Sequence, residues 1–212
     1  YYEFSNNTWH RLETEMPFPR SSSAAALLDE CTIVICGGLH QYTPLASCMS
    51  FSLLNHSFSV IQSMQVPRAR PTAVSYDNTI VVLGGSFNGA PLDSREQLDG
   101  VASKWTSFPS FPTPSTNIHF GAAVMQLQIF VVGRRRSDVE VFDGTVWTVL
   151  ATKLTKPRYE CAAVCFQNKL VVFGGNQEFV DVFDPATSSV SEDLIPNMTT
   201  NPQRRELAAI SF

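Results

Sequence analysis

Charge is scarce in this sequence. Asp, Glu, Lys and Arg make up 16% of its 212 residues, and the formal net charge is −4. That balance offers no basic surface to nucleic acid or to an anionic membrane, so neither is expected as a partner. Long apolar runs are missing as well. The longest are strand-length, well short of the roughly 20 residues a helix needs to cross a bilayer. Only four histidines occur, His10, His40, His56 and His119. They fall at unrelated places, so no spacing assembles a metal-ligand set. No glycine-rich phosphate loop and no nucleophile elbow appears. No catalytic residues, no metal and no cofactor are expected.

Cysteine is limited to Cys31, Cys36, Cys48, Cys161 and Cys165. The count is odd and the spacing follows no disulfide or zinc pattern. Cys36 and Cys165 lie in strand-like runs, where a free cysteine behaves as a small hydrophobe. That usage points to a reducing compartment, and a cytoplasmic location is expected. Asn6-Asn7-Thr8, Asn55-His56-Ser57 and Asn197-Met198-Thr199 are glycosylation sequons, which keep secretion open as the alternative. The chain does not begin with Met and opens inside a strand-like stretch, Tyr2-Glu3-Phe4, so a piece of a longer protein is expected.

What is abundant is repetition. Thr79-Ile-Val-Val-Leu-Gly-Gly85 is an apolar, β-favouring stretch closed by two glycines. Near-copies end in Gly37-Gly38 and Gly174-Gly175, and a degenerate one ends in Gly133-Arg134. The first glycines stand 47, 49 and 41 residues apart. A second marker repeats independently. Trp9, Phe58, Trp105, Trp147 and Val190 each follow a polar turn and open a strand, at steps of 49, 47, 42 and 43 residues. Two markers on one period define a repeat architecture.

Each period reads as four short strands joined by turns. In the second, Thr72 to Tyr76 is a strand, Asp77-Asn78 turns, and Ile80 to Leu83 runs into Gly84-Gly85. After a variable loop, Glu96-Gln97-Leu98 is a weak third strand and Trp105 to Phe108 the fourth. The same pattern divides the chain into a partial unit at 1–16, repeats at 17–66, 67–111, 112–156 and 157–200, and a partial unit at 201–212. A single four-stranded sheet cannot bury both faces, but sheets stacked face to face can. Glycines at strand ends let backbones approach closely. The large aromatic is expected to fill the space between successive sheets. Alanines such as Ala24-Ala25-Ala26, Ala122-Ala123 and Ala162-Ala163 suit an innermost strand, where sheets converge.

These residues resemble the kelch repeat. That pattern has an arginine before the first strand, a small-residue strand, a hairpin, an apolar strand ending in Gly-Gly, an aromatic-Asp turn and a tryptophan. Here it runs from Pro67-Arg68 through Gly84-Gly85 to Trp105, and from Pro157-Arg158 through Gly174-Gly175 to Phe183-Asp184-Pro185. The likeness covers essentially the whole chain. Departures are Gly133-Arg134, and Phe58 and Val190 in the tryptophan slot. The resemblance implies an all-β kelch-type β-propeller, with about four complete four-stranded blades plus partial blades at both ends, within a larger propeller.

The resemblance also implies a protein or peptide partner, held by the loops before the first strand and after the glycine pair. Aligning the repeats on their glycines puts Ser22, Arg70, His119, Glu160 and Glu206 beside the central channel. In adaptor members that slot often carries arginine reading acidic peptides; only Arg70 matches, and Glu160 and Glu206 would repel such a ligand. The post-glycine loops offer Tyr42, Phe87, Asn88, the run Arg134, Arg135 and Arg136, and Asn176. Aromatic and arginine side chains on exposed loops anchor interfaces, although such loops are also simply solvated and variable. The arginine run either grips a carboxylate or phosphate or is a degenerate exposed turn. The expected function is a protein-interaction module, as the substrate-recognition part of a ubiquitin-ligase adaptor. An actin-binding scaffold is the alternative, and a copper-oxidase-type enzyme a more distant one.

Overall fold

The computed structural model describes residues 2–3, 5–112, 119–134, 136–175, 177 and 179–193. No helix occurs among them. A ribbon of β1 (Tyr2–Glu3) and β2 (Thr8–Trp9) comes first. Blade 1 follows, with β3 (Ala24–Asp29) and β4 (Thr32–Cys36). A small ribbon of β5 (Leu39–His40) and β6 (Thr43–Pro44) interrupts it before β7 (Cys48–Ser52) and β8 (Ser57–Ile61). Blade 2 has the same plan: β9 (Thr72–Tyr76), β10 (Thr79–Leu83), a ribbon of β11 (Ser86–Phe87) and β12 (Ala90–Pro91), then β13 (Arg95–Asp99) and β14 (Lys104–Ser107). Blade 3 is β15 (Gly121–Met125), β16 (Gln128–Val132), β17 (Asp138–Phe142) and β18 (Trp147–Lys153). Blade 4 is β19 (Cys161–Phe166), β20 (Lys169–Gly174), β21 (Val180–Asp184) and β22 (Ser189–Asp193). Each blade is one antiparallel meander whose strands pair in chain order. The inner strands β3, β9, β15 and β19 pack in succession, so the four blades form a β-propeller array.

Local chemistry sets the turns. The first hairpins of blades 2, 3 and 4 close through Asp77-Asn78, Gln126-Leu127 and Gln167-Asn168, with both residues at positive φ. That is the turn whose twist matches paired strands. In blades 2, 3 and 4 the turn between third and fourth strands is held by a carboxylate, Asp99, Asp143 or Asp184. Asp99 Oδ1 accepts from Val101 N and Ala102 N at 2.8 Å. Asp143 Oδ1 accepts from Thr145 N at 2.8 Å and Val146 N at 2.9 Å.

The core lies between blades rather than within them. Ile80 and Val82 of β10 face blade 1 with Val34, Cys36 and Met64. Val81 and Leu83 face blade 3 with Ile129, Val131 and Phe142. A strand alternates its side chains, and here both faces are covered. This is why the repeated stretch is apolar without alternation. Phe130 and Val132 continue the pattern into the space shared with Leu170, Val172 and Phe183 of blade 4. Each fully buried aliphatic side chain contributes about 1.5–3 kcal/mol.

The aromatic slot behaves as expected in two blades. Trp105, 2% exposed, donates its indole N–H to Gln62 O at 2.8 Å, on the linker leaving blade 1. Trp147 donates to Pro109 O at 3.0 Å, on the linker leaving blade 2. Trp9 departs from the expectation, being 81% exposed. The slot leans on the preceding blade, and no sheet precedes β1 among the described residues. The expected partial unit at 201–212 lies outside the described residues.

Candidate partner-binding face

The glycine pairs place the candidate site. Gly84 and Gly85 have φ of 58° and 86°, a region L-residues with a Cβ avoid. A Cβ on Gly85 would stand 2.7 Å from Ala69 O. This close approach seats the segment that leads into β9 against the end of β10. Ala69 and Ser86 exchange backbone hydrogen bonds at 2.8 Å, and Arg70 follows with φ 55°. Ser22 and Glu160 take the same kink, at φ 54° and 52°. Successive kinks are tied together: Arg70 N donates to Ser22 O at 2.9 Å, and Glu160 N to His119 O at 3.4 Å.

Ser22, Arg70, His119 and Glu160 therefore come together, lining one cavity of about 380 Å³ at the channel mouth. Below it a cavity of about 150 Å³ is lined mainly by Ala25, Ala26, Ala73, Ala122, Ala123 and Ala163. The mouth is thus polar and of mixed charge, and the shaft is narrow and apolar. Glu206, expected in the same slot, lies outside the described residues.

Two ribbons stand beside this mouth. Ser21 and Leu39 exchange backbone hydrogen bonds at 3.0 and 2.8 Å, fastening β5–β6 next to Ser22. The Ala69–Ser86 pair fastens β11–β12 next to Arg70 in the same way. Their tips are two-residue turns with positive φ, Gln41-Tyr42 and Asn88-Gly89. Tyr42 is 95% and Phe87 38% exposed, and Asn88 is exposed. Eleven residues connect the second and third strands in blades 1 and 2, but only five in blades 3 and 4, so among the described residues the ribbons belong to blades 1 and 2. The sequence showed variable loops here; the paired ribbons were not legible in them, because each is only two residues long.

The arginine run does not sit together on an exposed loop. Arg134 is 6% exposed and folds inward. Its Nη1 donates to Glu140 Oε1 at 2.7 Å and Oε2 at 2.6 Å. Arg136 is exposed, with Nη1 3.9 Å from Asp138 Oδ2. Arg135 and Asn176 lie outside the described residues. The reason is a slot that sequence reasoning missed. Glu96 in blade 2 and Asp181 in blade 4 are buried where Glu140 sits in blade 3. Arg68 reaches Glu96 at 3.0 Å and Gly84 O at 2.9 Å. Arg158 reaches Asp181 at 2.7 Å and Gly174 O at 2.7 Å. Arg68 and Arg158, each two residues before the kink at Arg70 and Glu160, are buried latches under the glycine pair of blades 2 and 4, and Arg20, half-buried, holds Gly37 O in blade 1. The signal was present: Arg20, Arg68 and Arg158 recur with the glycines.

A second buried cation adjoins this latch. Arg95 lies 3.3 Å from the Phe111 ring centre and Arg134 lies 4.3 Å from it. Burial, and then the charge of Arg134, push the Arg95 guanidinium down to about 9. Among the described residues no three His, Cys, Asp or Glu side chains converge on a point that could hold a metal ion. No helix among them is long and apolar enough to cross a membrane.

Stacked four-stranded blades around an alanine-lined channel, with a rimmed polar mouth at one end, define a β-propeller domain. Residues 1–175 match the KLHDC2/KLHL20/DRC7 Kelch-repeats domain, and the chain belongs to the kelch-repeat family. It is 30% identical to Kelch-like protein 25 of Rattus norvegicus over 179 residues, 81% of this chain and 27% of that protein. It is 26% identical to Kelch-like protein 23 of Homo sapiens over 148 residues, 65% of this chain and 25% of that protein. With Kelch-like protein 41 of Homo sapiens it shares 32% identity over 92 residues, 41% of this chain and 15% of that protein. The chain thus spans about a quarter of the first two. As a kelch propeller it is a protein-interaction module.

Proposed function

We propose that the chain recognises an extended segment of a protein partner at the channel mouth, as the substrate-recognition part of a larger ubiquitin-ligase adaptor. The observation that carries this reading is the convergence of Ser22, Arg70, His119 and Glu160 on one cavity of about 380 Å³, flanked by ribbons presenting Tyr42 and Phe87. Arg70 would take a carboxylate, Glu160 a cation, and the two aromatic rings the apolar side chains between them. A mixed-charge segment suits that lining better than a purely acidic one. The reading is of binding rather than catalysis. Five cysteines that are all free support a reducing, cytoplasmic compartment.

The test is a peptide array screened with the chain, followed by titration of the best binder against Arg70→Ala, Tyr42→Ala and Phe87→Ala. Affinity should fall at least fivefold in each variant while the melting temperature stays put, since truncating an interface anchor costs more than about 1 kcal/mol. Unchanged affinity in all three would remove the site from this face. Co-purification of a cullin with the full-length protein supports the adaptor role; co-sedimentation with filamentous actin instead would favour a cytoskeletal one.

A further inference from the structure

Cys36 ends β4, Cys48 opens β7, and the two are direct partners across that ladder. The adjacent pair is hydrogen-bonded, Gly37 N donating to Ser47 O at 3.2 Å. Hydrogen-bonded and non-hydrogen-bonded pairs alternate in an antiparallel ladder. Cys36 and Cys48 therefore hold a non-hydrogen-bonded position, where Cα atoms stand about 4.5 Å apart and side chains are closest. A disulfide spans Cα separations of about 4.4–6.8 Å. Each residue is 1% exposed, neither is in a disulfide, and the Cys48 thiol donates to Ala46 O at 3.7 Å. The equivalent pairs elsewhere are Leu83 with Arg95 and Val132 with Val139, so the paired thiols are a feature of blade 1.

Their surroundings differ from the other blades too. Met49 occupies the slot held by Glu96, Glu140 and Asp181. Arg20 donates to Gly37 O at 3.0 Å and Ser47 O at 2.9 Å, the two residues flanking the cysteines. Its charge is next to thiols where Arg68 and Arg158 meet carboxylates. The cysteines also bracket residues 37–47, the loop that forms β5–β6 and carries Tyr42.

We propose that Cys36 and Cys48 are a modification site, oxidised by a small-molecule disulfide to a cross-strand disulfide that staples the base of the β5–β6 ribbon. One cysteine gives up its proton and attacks the reagent R–S–S–R. The reagent's S–S bond breaks and one RSH leaves. The second cysteine, also losing its proton, attacks the mixed disulfide; the Cys36 Sγ–Cys48 Sγ bond forms and a second RSH leaves. The pair loses two electrons, the reagent gains them, and the two protons depart on the two thiols. Burial holds the Cys36 thiol well above its ordinary pKa, so the exchange is slow. The bond stands on blade geometry alone; its effect on partner affinity rests on the binding reading given above.

The experiment uses the chain with Cys31→Ser, incubated for hours with oxidised glutathione, then denatured, alkylated and cleaved with trypsin and chymotrypsin. The expected product is a peptide pair joined through Cys36 and Cys48, with Cys161 and Cys165 alkylated. The melting temperature should rise by about 5 °C and return on reduction. Alkylation of both cysteines, glutathione adducts alone, or linkage to Cys161 or Cys165 would overturn the proposal. Cys48→Ala, and separately Cys36→Ala, should abolish both the linked peptide and the oxidant-dependent shift; a shift that persists in either counts against the bond. Titrating the array-derived peptide against both redox forms reads the face separately. A linked peptide with unchanged affinity supports the bond and removes Tyr42 from the binding reading.

Discussion

Arg134 and Glu140 form a buried ion pair within blade 3, with Nη1 2.7 and 2.6 Å from the two carboxylate oxygens. Arg134 stands where the other blades have their second glycine, yet it serves the carboxylate slot that Arg68 serves on Glu96 and Arg158 on Asp181. The latch is kept with the cation supplied by the segment just after the second strand instead of the segment before the first. Glu140→Gln leaves that cation buried without its counter-charge and should destabilise the chain by about 3–5 kcal/mol. Arg136→Ala, one turn of the same loop away and exposed, should stay within about 0.5 kcal/mol. Urea unfolding of both variants separates the two roles; equal costs would mean that Arg134 is not a latch.

Gly85→Val tests the close approach that positions Arg70. The valine would have to hold φ near 86° with its Cβ 2.7 Å from Ala69 O. Left-handed strain of about 1–2 kcal/mol adds to overpacking of about 1–3 kcal/mol. A loss near 3 kcal/mol in chemical denaturation is the expected outcome. A variant as stable as the parent would show that the strand end does not need glycine.

Trp105→Ala removes a buried ring that seals blades 1 and 2, and should cost about 3–5 kcal/mol. Trp9→Ala changes an exposed ring in the same repeat slot and should cost under about 0.5 kcal/mol in this chain. Thermal melts of the pair show whether the slot or its surroundings decide. A large loss at Trp9 would contradict its exposed placement.

Backbone hydrogen bonds hold the Asp99 carboxyl, from Ala102 and then Val101, and the Asp143 carboxyl, from Val146 and then Thr145, below the usual range. A depressed folded pKa gives stability that is present above the unfolded value, about 3.9. It is lost as pH falls through the lower folded value. The denaturation midpoint should be flat from pH 7 to 5 and decline below about pH 4. Asp143→Asn should make that decline shallower, since its amide oxygen still accepts the turn's N–H groups but does not titrate. An identical decline in the variant would rule the turn carboxylate out as a contributor.

Much of this architecture is visible in the residues because its rules are local. The apolar stretch before Gly84-Gly85 shows no alternation, as a strand covered on both faces requires. Asp143-Gly144 and Asp99-Gly100 mark turns that a single carboxylate can close. Alignment on the glycines placed Ser22, Arg70, His119 and Glu160 in one ring because the residue entering each first strand stands 14 residues before its glycine in blades 2, 3 and 4 and 15 before it in blade 1. Where the period is kept, sequence position converts directly into position in space.

Other features depended on contacts between residues far apart or on geometry without a residue signature. Three adjacent arginines look alike in sequence; Glu140, across the strand pair, draws Arg134 inward while Arg136 stays in solvent. Trp9 and Trp105 occupy the same repeat slot, but among the described residues only Trp105 has a preceding blade to bury it. Gln126-Leu127 makes the same turn as Asp77-Asn78 without the residues that usually announce it, because the paired strands impose the backbone. The repeat, its strands and the channel ring were thus set by the sequence itself, through periodic local chemistry. Which cations became buried latches, which aromatics stayed exposed beside the channel, and which two cysteines came face to face were decided only by tertiary structure, because burial and pairing depend on what the fold brings alongside each side chain.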